Sequence, residues 1–191
     1  MDSYLEIIRS KKTVFTTNDL ALLWTATESD YIKKKTYRYV KSGKLYPLRR
    51  GIYALDANYD KFELASRIYT PAYLSFETVL AIHGITFQYY SQIFVASYLS
   101  RAIGVDSQIY EYRKLKYNLL INTTGIDIRD NYFIASPERA LLDVLYLNKE
   151  YYFDNLSSVH WDKVLEILPI YGENKGMALW VNKHSRERIG D

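Results

Sequence analysis

Between positions 31 and 50 the chain carries Lys33, Lys34, Lys35, Arg38, Lys41, Lys44, Arg49 and Arg50 and not one Asp or Glu. The chemistry such a run supports is binding, because clustered cations release counterions from a polymer of phosphates. Of the chain's 25 Lys and Arg and 22 Asp and Glu, residues 1–60 hold 11 and 7, and residues 61–191 hold 14 and 15. The net charge of +3 therefore conceals a positive first third and a near-neutral remainder, which points to an anionic partner at the first third.

Residues suited to other chemistry are scattered. His83, His160 and His184 lie far apart, none has a second ligand at zinc-site spacing, and the carboxylates form no recurring pattern. The absence of cysteine excludes disulfides, thiolate metal sites and cysteine nucleophiles, and fits a reducing compartment. There is no glycine-rich phosphate loop and no G-x-S-x-G elbow. His83, ending an apolar helix, reads as a cap or core histidine. Arg139 lies one turn before Asp143, which predicts a structural ion pair rather than a tuned acid. No catalytic residue, metal or cofactor is expected, and the chain reads as a non-enzyme. The 20 tyrosines are spread through both halves, as core and half-buried filling would be. The opening residues lack the basic lead and apolar core of a signal peptide. No apolar run approaches the roughly 18 to 20 residues that span a bilayer, so the expected location is the cytoplasm, with no membrane partner.

The basic stretch needs elements to position it. A first helix is predicted over about 3–11. Thr16 reads as an N-cap with Asp19 completing a capping box, and Leu20, Leu22, Leu23 and Trp24 begin a short apolar helix. Residues 25–28 make a turn, Ser29 caps a helix over about 30–42, and Gly43 ends it. In that helix Ile32, Thr36, Tyr39 and Val40 share one face, and Lys33, Lys34, Tyr37, Arg38 and Lys41 share the opposite one. Strands over 44–48 and 52–55 follow, joined through Arg49, Arg50 and Gly51. A recognition helix and basic hairpin in this order predict a winged helix-turn-helix domain over 1–58 that binds double-stranded DNA. Ser29, Lys33, Lys34 and Tyr37 would face base edges or nearby phosphates, and Arg38, Lys41, Arg49 and Arg50 would hold the backbone.

Residues 56–61 read as a linker to a mixed α+β domain over 60–191, making the whole chain α+β. Its expected helices span about 61–69, 75–83, 137–147, 160–168 and 174–183, with Ser75 and Ser136 as caps. Its expected strands are 92–98, 108–115 and 131–135, and residues 185–191 read as frayed.

Two later stretches, Pro71-Ala72-Tyr73-Leu74-Ser75-Phe76-Glu77-Thr78-Val79-Leu80-Ala81-Ile82-His83-Gly84 and Ala135-Ser136-Pro137-Glu138-Arg139-Ala140-Leu141-Leu142-Asp143, follow Arg50-Gly51-Ile52-Tyr53. In this order, over about residues 13–147, the chain resembles the AbiEi family, antitoxins and transcriptional repressors of bacterial abortive-infection toxin-antitoxin operons. The resemblance implies an autorepressor that binds inverted repeats in its own promoter, and a second domain that counters an AbiEii-like nucleotidyltransferase toxin. The implied DNA-binding role falls on the helix of Lys33 to Lys41 and on Arg49 and Arg50, while the antitoxin role falls on no named residue. Two other readings stay open: a stand-alone winged-helix transcription factor whose second domain senses a ligand or dimerises, and a nuclease-type enzyme guided by the winged helix.

Overall fold

Two sheets and the helices packed on them organise residues 3–189, described by a computed structural model with side chains over 4–186. The fold is α+β. The first sheet is assembled from α1 (Ser3–Arg9), β1 (Val14–Thr16), α2 (Thr17–Leu23), α3 (Ser29–Lys41), β2 (Tyr46–Arg49) and β3 (Ile52–Ala54). Its strands lie in the order β1-β3-β2, all antiparallel. The Thr16 hydroxyl accepts from the Asp19 amide at 3.1 Å, and Asp19 Oδ2 accepts from the Thr16 amide at 2.9 Å, so the predicted capping box starts α2. The expected cap of α3 is off by one residue. Glu28 is the N-cap, with extended backbone and no side-chain bond, and Ser29 is the first helical residue. Gly43 takes φ +72° at the other end, where its amide reaches Val40 O at 3.1 Å and that of Lys44 reaches Tyr39 O at 2.8 Å. These two bonds satisfy carbonyls the helix would otherwise leave open.

Arg49 pairs with Ile52, leaving Arg50 and Gly51 as the hairpin turn, where Gly51 supplies φ +78°. Pro47 sits in the edge strand, where its missing N–H costs no ladder bond. One side of this unit buries Ile7, Phe15, Leu20 and Leu45, with Tyr39 edge-on to Tyr4 and Trp24. Val14, Ile52 and Ala54 instead join the large core of the rest of the chain.

Residues 56–61, expected as a linker, form part of that junction. Tyr59 is buried and donates to Asp106 Oδ2 at 2.8 Å, and Asp60 caps α4 (Lys61–Ile68) by accepting from the Phe62 amide at 2.7 Å. The Thr13 amide and hydroxyl both donate to Glu63 Oε2 at 2.8 Å, and Asp19 holds Lys12 at 2.8 Å with Arg67 at 3.6 Å. Burial alone would raise the Asp19 carboxyl, but hydrogen bonds from Lys12 and Thr16 outweigh it and hold it below its ordinary value. Glu63, more deeply enclosed, is pushed up by burial.

The second sheet has six strands in the order β6-β7-β5-β4-β9-β8. They are β4 (Ala72–Leu74), β5 (Ile93–Ser97), β6 (Arg101–Val105), β7 (Gln108–Lys114), β8 (Ile126–Arg129) and β9 (Tyr132–Ala135). Central β4 is buried at every residue, antiparallel to β5 and parallel to β9 through Leu74 and Ile134. Helix α5 (Phe76–Ile82) packs on α7 (Pro137–Leu147), α7 on α8 (Trp161–Ile167), and α8 on α9 (Lys175–Ile189), while α6 (Tyr117–Leu120) is a single turn. Helix α9 runs past the expected fraying point at Ser185, where His184 stacks on Trp180 with ring centroids 3.9 Å apart. Gly190 and Asp191 lie outside the described residues.

The predicted Arg139–Asp143 ion pair is present and fully buried, Nε to Oδ1 at 3.3 Å. Arg139 also donates to Thr124 O, Leu119 O and the Tyr73 hydroxyl at 3.0, 2.8 and 3.0 Å. Asp143 accepts from Tyr73, Ser75 and Tyr171 at 2.9, 2.7 and 2.6 Å. Ser75 therefore spends its hydroxyl on Asp143 and makes no side-chain cap on α5, although it occupies the cap position. So many partners let two charges sit in the core, because four of the five guanidinium donors and both carboxylate oxygens are used. His83 is the half-buried C-cap of α5, and burial lowers its pKa.

Candidate nucleic-acid interface

Packing on α3 decides which of its cations face outward. Ile32 and Thr36 are buried and Tyr39 and Val40 half-buried, so the helix turns Ser29, Lys33, Lys34, Tyr37, Arg38 and Lys41 to solvent. Lys35 is the exception within the basic run, only 7% exposed. Its position three residues after Ile32 and four before Tyr39 puts it in the buried stripe. There its ammonium lies 4.4 Å from the Trp24 ring centroid and donates to the Tyr31 hydroxyl at 3.2 Å. Lys44, just past the helix, stays exposed, with its ammonium 5.1 and 5.4 Å from the rings of Tyr4 and Tyr39.

The outward cations differ in their local partners. Lys33 lies 3.5 Å from Asp30, with both side chains well exposed, an arrangement that contributes little to stability in water. Lys41 lies over Tyr37 at 5.7 Å. Tyr31, Lys34, Tyr37 and Arg38 line a shallow groove in which two exposed aromatic rings alternate with two cations. Tyr31 was not among the expected contacts, although its spacing of three and seven residues from Lys34 and Arg38 puts all three on one helical face.

Arg49 and Arg50 are exposed at the hairpin turn. Behind them Leu48 packs on the main core, and the Tyr46 hydroxyl donates to Asp106 Oδ1 at 3.4 Å. The Gly51 carbonyl accepts from the Thr17 amide at 2.9 Å, tying the turn to the start of α2. The hairpin is thus braced by the body of the protein and by the helix preceding α3.

The geometry offers solvent-facing cations on a rigid helix, accessible aromatic faces among them, and two arginines on a braced turn. Such a surface can neutralise phosphates at fixed spacing and stack against planar groups. Among the described residues no group of three or more His, Cys, Asp and Glu side chains could hold a metal ion, and no helix is long and apolar enough to cross a membrane. No family model matches the chain, and a search of curated proteins finds no match either.

Proposed function

We propose that residues 1–58 act as a winged helix-turn-helix and that the protein is a cytoplasmic, non-enzymatic transcriptional autorepressor and antitoxin of the AbiEi type. One observation carries the DNA-binding reading: the outward face of α3 is cationic, and the next turn of chain presents Arg49 and Arg50. The element order helix, strand, helix, helix, strand, strand supports it, with α3 as the recognition helix and the β2–β3 hairpin as the wing. Ser29, Lys33, Lys34 and Tyr37 then approach base edges or nearby phosphates, while Arg38, Lys41, Arg49 and Arg50 grip phosphates.

The antitoxin half rests on the family resemblance. It gains support from the meeting of the two later motif stretches in one buried network, Tyr73 and Ser75 from the first with Arg139 and Asp143 from the second. The implied partner is an AbiEii-like nucleotidyltransferase. Fluorescence anisotropy with a duplex from upstream of the gene, against a shuffled duplex, tests the repressor reading. Lys34→Ala and Tyr37→Ala should cost roughly 1–3 kcal/mol of discrimination if they touch bases, while Arg50→Ala should weaken both duplexes alike. Equal losses for all three would refute the assignment. Co-expression with the adjacent reading frame, scoring growth, tests the antitoxin half.

A second reading, a stand-alone regulator whose larger unit senses a ligand, is favoured by a cavity of about 340 Å³ between α4, β4, α6 and β9.

A further inference from the structure

The cavity against α4 has walls that are mostly apolar, supplied chiefly by Pro71, Leu120, Ile121 and Phe133, and no Asp or Glu lines it. Its one formally charged lining residue is Arg67. Ser66 lines it too, and Ser66 Oγ and Arg67 Nε are both buried without a hydrogen-bond partner. Buried polar groups are ordinarily satisfied, so two neighbouring donors left open at one cavity point to an acceptor that binds there. Arg67 has capacity for one, because its contacts to Asp19 and Glu63 are long, at 3.6 and 4.0 Å.

We infer that this cavity is a binding site for a small aromatic carboxylate, whose carboxylate accepts from Ser66 Oγ and Arg67 Nε while its ring lies among the apolar walls. A cavity of about 340 Å³ has room for about eleven waters at their share of liquid volume, which matches a ligand the size of benzoate or phenylacetate. A carboxylate suits the paired donors, because a charged acceptor strengthens both bonds.

The site also touches the seam with the first sheet. Arg67 reaches Asp19, which caps α2, and Asn131, another lining residue, donates through Nδ2 to Lys11 O at 3.0 Å. A carboxylate that draws on Arg67 competes with Asp19 for it. The occupant therefore acts on how α2 and β1 are held against α4. The ligand site stands on the cavity alone and does not rest on the DNA-binding function proposed above.

The test is a titration of the ¹⁵N-labelled full chain with benzoate and phenylacetate, followed by amide chemical shifts, with benzamide and benzylamine as charge controls. Both carboxylates should bind saturably, shift residues 66–73 and 119–133, and carry the shift to residues 11–19, while the controls bind at least about tenfold more weakly. Ser66→Ala removes a hydroxyl with no protein partner, so the fold should persist while affinity falls about tenfold. Ile121→Trp should fill the cavity and abolish binding. Any of three results overturns the assignment: no saturable binding with a Kd below about 1 mM, equal binding of benzylamine, or benzoate binding that survives Ile121→Trp. None of these readouts involves DNA, so a failed operator would not be mistaken for a failed ligand site.

Discussion

Replacing Lys34, Arg38 and Lys41 together by Ala separates an electrostatic grip on DNA from a generic positive charge. The outward cations of α3 and the turn are Lys33, Lys34, Arg38, Lys41, Arg49 and Arg50. With Lys33 set against Asp30 at 3.5 Å, about five remain to neutralise one phosphate each, giving a slope of log K on log salt near −4.5. Between about 50 and 200 mM salt the wild type should then lose about 500-fold in affinity. The triple variant keeps about two phosphate contacts, so its slope should fall to about −1.8 and its loss to about tenfold. These side chains face solvent and their truncation should scarcely change stability, which circular dichroism would verify. Lys35→Met is the matched control. It removes a positive charge from the same helix, but one held at Trp24, so the slope should stay near the wild-type value. Anisotropy of a labelled duplex across a salt series reads all three slopes. A wild-type slope near zero, or a triple variant with an unchanged slope, would refute the reasoning.

Arg139→Met should destabilise the fold by about 3–5 kcal/mol in urea unfolding, because it strands Asp143 in the core without its cation; a loss below about 1 kcal/mol would contradict the role given to the pair. Gly125→Ala should cost roughly 2–4 kcal/mol, since Gly125 holds φ +72° and a Cβ would lie 2.8 Å from Ile167 Cδ1 and 3.0 Å from Arg139 Cβ. An unchanged unfolding midpoint would count against that packing. The depressed Asp19 carboxyl contributes stability that is fully present above about 3.8, its ordinary pKa, and is lost as pH falls through its lower folded value. The stability gap between wild type and Asp19→Asn should therefore narrow as the solution is acidified through that range. A gap constant with pH would contradict it.

The parts of the fold legible in the sequence are those written in local periods. The α3 face follows from Ile32, Thr36, Tyr39 and Val40, and the start of α7 from Ser136 and Pro137, whose cap and fixed φ need only neighbouring residues. Strand β4, three residues buried on every side, offers no alternation to read, and β1 and β8 are equally short of pattern. In β6 an exposed Gly104 interrupts the strand signal. The seam was illegible for a different reason: Thr13 and Glu63 are 50 residues apart, and nothing near either announces the other. At the candidate interface the charge run was plain and the spacing of Lys35 from Ile32 and Tyr39 sets it in the buried stripe, but its seat against Trp24, the C-cap of α2, depends on packing between elements. The open donors of Ser66 and Arg67 exist only where α4, β4 and β9 converge.

The position of β4 bears on how the chain is made. One of its edges meets β5 soon after synthesis, but the other waits for β9, whose Ile134 stands opposite Leu74. At a translation rate of about 5–20 residues per second, the sixty residues between them take roughly 3–12 seconds. For that interval the nascent chain displays an unpaired strand edge flanked by the side chains of Ala72, Tyr73 and Leu74 that the finished fold buries, the kind of surface that recruits other chains. We expect ribosome-stalled chains ending before Ile126 to associate and those extending past Leu147 to stay dispersed, a contrast that sedimentation of the stalled complexes would measure.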